Sequence, residues 1–280
     1  MYNNQNLNSN ALFSYFVFLL KKRKSGLDDL LKYRELIKIM RSDALTTFFQ
    51  PIIDLDSDKI VGYEALNRPP FSKYFPSTDH FYEYIGNTNQ VFLFELFCRN
   101  TSLKKYSSNL KETPCEKDKL LFINIHPDVL IDSNYRPGET IQLLQEFDLK
   151  PSQIVFELTE KKAVTDFEMF EKVLNNYRSQ GFRLAIDDVG TGYNSLKTII
   201  HLRPEFIKLD RSLIHNIVDN VSQQKLVSLL LNFANQSNTS VIAEGIEQLE
   251  DLYFLKQEGI HLGQGYALGK PHPKINSNLV

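Results

Sequence analysis

Tryptophan is absent from this chain of 280 residues, and it has only two cysteines and three methionines. The cysteines, Cys98 and Cys115, lack the spacing of metal ligands, so neither a disulfide framework nor a zinc finger is expected. A reducing cytoplasm is therefore the predicted location. The six histidines are scattered without a His-x-x-x-His pair. A bound metal would need oxygen ligands, which favours Mg²⁺ or Mn²⁺ over zinc.

Neither sign of charge dominates, since the net charge is −2, and nothing in this balance points to DNA or RNA as a partner. The apolar run at 11–20 is shorter than the roughly 20 residues that span a bilayer. Its basic cluster, 21–24, follows the run, whereas a signal peptide carries positive charge before it. The favoured interpretation is a helix packed on the domain or on a partner. The alternative is a weak, shallow membrane contact aided by the basic cluster.

The chain is predicted to have an N-terminal extension, 1–43, followed by one large domain, 44–275. Within the extension, the Asn-rich residues 1–10 are expected to be disordered. Apolar residues between Leu27 and Met40 recur at helical spacing and predict an amphipathic helix over 27–42. Further helices are predicted at 166–180, with a capping box of Thr165 and Glu168 and a stop at Gly181, and at 223–236 and 248–258.

Eight strand-like runs occur, at 47–53, 60–66, 120–126, 153–158, 182–187, 205–209, 240–244 and 260–267. Most alternate with helical patterns, which predicts parallel strands and an α/β fold, a TIM-like (β/α)₈ barrel. A doubly wound open sheet is the alternative. Only Asp54–Lys59 joins the first two strands, so this pair is expected to be an antiparallel hairpin with a helical extension before it. The segment 69–80 contains three prolines and is predicted to be a loop near the barrel mouth.

A polar residue stands at the end of seven of the eight strands. These residues are Glu64, Asn124, Glu157, Asp187 with Asp188, Lys208, Glu244 and Gln264. The carboxyl-terminal ends of the parallel strands converge at one mouth of a barrel, and active sites lie at that mouth. Converging carboxylates repel one another unless cations lie between them. The pattern therefore predicts a divalent metal site.

The number of acids limits the chemistry. A glycosidase typically needs two carboxylates, and this set has more. Four or five carboxylates and one amide suit two hard cations bridged by Asp187, a pair that stabilises both oxygens of an in-line displacement. A lysine among the acids can orient an attacking water or balance charge on a phosphate. A phosphodiester is the substrate class that fits.

Seven short motifs together resemble the EAL-domain family of cyclic di-GMP phosphodiesterases. They are Gln50–Ile52, Tyr63–Arg68, Glu157–Glu160, Asp187–Tyr193, Ile207–Asp210, Ala243–Glu247 and Gln264–Tyr266, and they follow the family's order over about residues 44–272. The resemblance implies a barrel that hydrolyses cyclic di-GMP to linear pGpG with Mg²⁺ or Mn²⁺, with Ca²⁺ inhibitory. It also implies a homodimer.

The resemblance further implies individual roles. Metal ligands would be Glu64, Asn124, Glu157, Asp187 and Asp188. Catalytic residues would be Glu64, Lys208, Glu244 and Gln264, with Lys208 and Glu244 acting on the nucleophilic water. Substrate contacts would come from Gln50, Leu66 and Arg68, the last to a phosphate, and Glu160 would steady the Asp188–Ser195 loop.

Two departures from the family pattern are expected to matter, one for substrate affinity and one, at Val189, for the packing of the Asp187 loop and its coupling to a dimer interface. Asn67 and Pro69–Pro70 flank Arg68 where many members have an apolar residue and an aromatic residue or glycine, so affinity is the property expected to change. Val189 replaces the usual phenylalanine of the Asp187 loop. Two other functions stay open: a receptor that binds cyclic di-GMP without cutting it and signals to a partner, and an unrelated metal-dependent barrel hydrolase.

Overall fold

The computed structural model describes residues 26–40, 42, 44–86, 88, 91–125, 138–159, 167–191 and 195–275. They divide between two compact units, one comprising Met1–Leu45 with Pro69–Glu83 and the other Thr46–Arg68 with Tyr84–Val280. The predicted disordered tip, the apolar and basic segment at 11–24, the Thr165 cap and Glu160 all lie outside the described residues. None of the helices in the described part of the chain is both long enough and apolar enough to cross a bilayer.

The larger unit is built on eight strands that close into a barrel in chain order. The strands are β1 Thr46–Asp54, β2 Lys59–Arg68, β3 Leu120–Asn124, β4 Ile154–Thr159, β5 Arg183–Val189, β6 Phe206–Leu209, β7 Ser240–Ala243 and β8 Leu262–Gly263. β1 runs antiparallel to β2 and β8, and the other neighbours are parallel. The predicted TIM-like barrel with an antiparallel first strand is therefore confirmed, and the open sheet is not found.

Helices follow most strands. In chain order they are α1 at 26–40, α2 Thr78–Gly86, α3 Val91–Glu112, α4 Glu139–Glu146, α5 Phe167–Ser179, α6 Ser195–Leu202, α7 Arg211–Ile214, α8 Val221–Gln236 and α9 Leu249–Gln257. Short 3₁₀ turns occupy Pro114–Glu116, Pro151–Gln153 and Ile217–Asp219. Gly181 ends α5 as predicted, since its φ of 93° suits the left-handed C-cap position.

Two predicted boundaries were wrong. The last strand was expected over 260–267, but β8 has two residues, because Gly265 turns against the backbone of Ile246 and leaves the ladder. The loop predicted at 69–80 gives way to α2 at Thr78. Before α2, Ser72 and Phe75 form an isolated bridge, and Phe75 packs edge-on against Phe81 with 5.0 Å between the ring centroids.

Alternation along the strands places an apolar layer directly beneath the strand ends. A buried cluster contains Ile52, Leu120, Phe122, Val155, Ala185, Phe206, Ile242 and Leu262. Side chains two positions apart share a face of a strand. Phe122, Val155 and Ala185 each stand two residues before a polar residue named above, and so do Phe206, Ile242 and Leu262. The lumen is thus filled by hydrocarbon, and the next layer toward the carboxyl ends is polar.

Candidate active site

Lys208 lies at the centre of the polar layer. Its side chain is 0% exposed, and Nζ lies near four carboxylates: 2.7 Å from Glu157 Oε1, 2.7 Å from Glu244 Oε1, 3.3 Å from Glu64 Oε2 and 3.5 Å from Asp187 Oδ1. Those acids come from four different strands or strand ends, as the sequence predicts. The contact with Glu157 is a fully buried ion pair, because both side chains are 0% exposed.

Amide side chains fix the orientation of Glu64. Asn124 Nδ2 donates to Glu64 Oε1 at 3.2 Å and to Glu157 Oε2 at 3.3 Å. Gln264 Nε2 donates to Glu64 Oε2 at 2.7 Å and to Gln50 Oε1 at 3.2 Å. Gln264 Oε1 is buried and has no hydrogen-bond partner among the described residues, so an acceptor in this site is left available.

A second cluster of oxygens lies at the ends of β5 and β7. Ligand atoms of Asp187, Asp188 and Glu244 lie within 4.8 Å of one another. Asp188 has a φ of 58°, a left-handed conformation that is uncommon for residues other than glycine. Its backbone N–H donates to Asp187 Oδ1 at 2.9 Å. The chain therefore turns sharply here and brings two successive carboxylates to one place.

The charges of the cluster are coupled. Burial raises the pKa of Glu157 and of Glu244, and neighbouring carboxylates add to the rise while Lys208 opposes it. For Glu64 burial acts in the same direction, but Lys208 and the amide donors outweigh it and hold the pKa below its usual value. Burial lowers the pKa of Lys208, and the surrounding acids more than reverse this, so the ammonium form persists.

This donor set fits divalent cations. Four carboxylates lie around the ammonium group of Lys208 and a fifth, that of Asp188, lies beside two of them, so these acids outnumber the cation. Carboxylate and amide oxygens are the ligands of Mg²⁺ and Mn²⁺. Both observations favour cation binding and agree with the sequence-based prediction of a metal site.

The structure brings together most of the residues predicted for the site. Gln50 on β1 joins through Gln264, and its own Nε2 donates to Gly269 O at 3.1 Å. Leu66 and Arg68 are half-buried farther along β2, on the same face as Glu64 by strand alternation. Glu160 falls outside the described residues.

One ion pair beside the site was given no role in the sequence analysis. Arg211 donates to Glu247 through Nε at 3.1 Å and Nη2 at 2.8 Å. The stem of Arg211 packs against Gly245, whose φ is 65°, so a side chain there would collide with it. Glu247 belongs to the Ala243–Glu247 motif and stands three residues after Glu244. That position was the sequence signal from which a role for Glu247 could have been inferred.

Sequence comparison matches residues 33–271 to the family described as EAL domain. The chain belongs to the EAL domain family. The probable cyclic di-GMP phosphodiesterase PdeA of Escherichia coli K12 is 29% identical over 231 residues, which is 82% of this chain and 31% of PdeA. The chain thus spans about a third of this curated relative.

Two solved EAL proteins share the fold. EAL enzyme Bd1971, in its cAMP and cyclic di-GMP bound form, is 28% identical with a TM-score of 0.79, covering 94% of this chain and 72% of Bd1971. BlrP1 of Klebsiella pneumoniae, in a manganese and cyclic di-GMP complex, is 28% identical with a TM-score of 0.71, covering 82% and 56% of the two chains. Both structures were solved with cyclic di-GMP bound.

Proposed function

We propose that this chain is a metal-dependent phosphodiesterase that hydrolyses cyclic di-GMP to linear pGpG. The observation that supports it most is the ring of acids around the fully buried Lys208, at the strand ends of an EAL-family barrel. Relatives named cyclic di-GMP phosphodiesterases and the BlrP1 complex supply the substrate and the metal class. A receptor role has no specific observation in its favour.

In this proposal Glu64, Asn124, Glu157, Asp187 and Asp188 hold the cations. When bound, Mg²⁺ or Mn²⁺ would neutralise the negative charge of the phosphate and lower the pKa of the attacking water. The remaining steps belong to the protein's own groups, and the hydrocarbon layer beneath them excludes bulk water from below.

Glu244 and Lys208 share the handling of the attacking water. Their contact of 2.7 Å keeps the two side chains at one point of the site. Glu244 is the base that accepts the water proton, and Lys208, fixed as an ammonium group, orients the water and balances the negative charge. The water oxygen bonds to phosphorus, and the bond from phosphorus to the 3′-oxygen breaks. That oxygen takes up a proton from solvent and leaves as a hydroxyl, and the proton accepted by Glu244 returns to solvent.

Substrate contacts complete the proposal. Arg68 binds the phosphate, because a guanidinium fork matches phosphate oxygens. Gln50 and Leu66 contact the rest of the dinucleotide, Gln264 supports the water near the cations, and Glu160 steadies the Asp188 loop.

A cytoplasmic location and a homodimer are also proposed, together with a weak membrane contact through residues 11–24. Sedimentation with anionic vesicles tests that contact, and light scattering tests the dimer.

The direct test is incubation of purified protein with cyclic di-GMP and Mg²⁺, Mn²⁺ or Ca²⁺, with chromatography of the products. We expect pGpG with Mg²⁺ or Mn²⁺ and inhibition by Ca²⁺. Binding without product would favour the receptor. Hydrolysis of unrelated phosphodiesters but not of cyclic di-GMP would favour a different barrel hydrolase.

A further inference from the structure

A polar contact joins three elements beside the end of β2. The Asn67 side-chain oxygen, Oδ1, accepts hydrogen bonds from Thr47 Oγ1 at 2.7 Å and from Ser102 Oγ at 3.1 Å. Thr47 lies on β1 and Ser102 on α3, and both are buried, at 2% and 0% exposed. Because a buried hydroxyl without an acceptor is destabilising, the amide of Asn67 satisfies two groups at once.

Arg68 is the next residue and the last of β2. Alternation directs Asn67 toward α3 and Arg68 to the face that carries Glu64. The backbone of Arg68 pairs with Thr46, whose Oγ1 donates to Arg68 O at 3.3 Å. Pro69 follows and restricts the residue before it to extended conformations. The backbone of Arg68 is therefore held from β1, from Pro69 and, through Asn67, from α3.

We propose that Asn67 is a positioning residue that holds Arg68 in place for the substrate phosphate. This inference rests on the proposed function, in which Arg68 binds that phosphate. When the backbone of Arg68 is already ordered, the residue loses less conformational freedom on binding the phosphate. The expected gain is therefore a higher affinity for the substrate. Asn67 departs from the family pattern, and in this chain its side chain accepts hydrogen bonds from two buried hydroxyl groups.

Asn67→Leu tests the proposal, with Asn100→Leu as the matched control, because Asn100 is exposed on α3. Titration calorimetry with cyclic di-GMP in Ca²⁺ gives Kd, and turnover in Mn²⁺ gives kcat and KM. For Asn67→Leu we expect Kd and KM to rise about 3- to 10-fold, the cost of immobilising one long side chain. The kcat should stay within about twofold, as for a loss of uniform binding. Ser102→Ala removes one of the two hydrogen bonds and should give a smaller change in the same direction.

A double-mutant cycle with Arg68→Ala separates positioning from a general effect on the fold. If Asn67 acts through Arg68, Asn67→Leu changes Kd little once Arg68 is Ala. Additive effects on Kd in the double variant would overturn the inference, as would an unchanged Kd in the single variant. In both cases binding by the wild type and its loss in Arg68→Ala would leave the proposed function standing. A wild type that binds no cyclic di-GMP would overturn both.

Discussion

Replacing Lys208 with Met tests the electrostatic design of the site. The ammonium group is fully buried and lies 2.7–3.5 Å from four carboxylates. Removing one partner of a buried ion pair costs about 3–5 kcal/mol, because the remaining charge is left uncompensated. At about 2–4 °C per kcal/mol for a domain of this size, that loss corresponds to a fall in Tm of about 6–20 °C. We therefore expect Lys208→Met to be markedly destabilised in EDTA.

Saturating Mn²⁺ should remove most of this deficit in stability, since the cations neutralise the same acids. Turnover should nevertheless stay about 10²- to 10³-fold below wild type, the range for loss of one preorganised charged or hydrogen-bonding group in an active site. Thermal unfolding in EDTA and in Mn²⁺, with a turnover assay on the same samples, measures all three quantities. Lys256→Met is the matched control, because Lys256 pairs with the exposed Asp58 at 3.1 Å, and its loss should cost less than about 1 kcal/mol. If both variants unfold at the same temperature in EDTA, the proposed charge balance is wrong.

Three further predictions concern the metal ligands, pH and packing. Glu64→Ala should abolish metal-dependent turnover, and calorimetry should show weaker Mn²⁺ binding; retained turnover under metal control would contradict the site. The raised pKa values of Glu157 and Glu244 mean that the fold binds more protons than the unfolded chain above the unfolded value of 4.5. Their stabilising contribution is therefore present below that pH and is lost as pH rises through the raised pKa values of the folded protein, so Tm in EDTA should fall as the pH is raised above about 5. A rise in Tm over this range would contradict it. Gly265→Ala should destabilise the protein by about 1–3 kcal/mol, because its Cβ would overlap the backbone of Ile246; chemical unfolding measures this, and an unchanged midpoint would count against the packing.

Strand order and the polar layer could be predicted because both depend on local patterns. Runs of buried residues ending in an acid, such as the one before Glu157, follow from the period of a strand and the closure of a parallel barrel. The hairpin followed from the six-residue connection Asp54–Lys59. The convergence of Glu64, Glu157 and Glu244 on one point then needed no contact information.

The central position of Lys208 was beyond sequence reasoning. A lysine at a strand end predicts a charged group near the acids, but its contact with four of them at once depends on how far each strand extends and on the tilt of the barrel. The ion pair between Arg211 and Glu247 and the hydrogen bonds to Asn67 could not be predicted either. They are tertiary contacts that join residues 36, 20 and 35 positions apart in the sequence. The early end of β8 depended on a close approach between Gly265 and Ile246 that no local signal gives.

A single-turnover experiment tests the central claim most directly. Excess protein is mixed with labelled cyclic di-GMP in Ca²⁺ or in Mn²⁺, and bound cyclic di-GMP and pGpG are measured over time. The proposed phosphodiesterase predicts stoichiometric pGpG in Mn²⁺ and intact, bound cyclic di-GMP in Ca²⁺. Intact, bound cyclic di-GMP in both metals would contradict the hydrolytic function and make the chain a receptor.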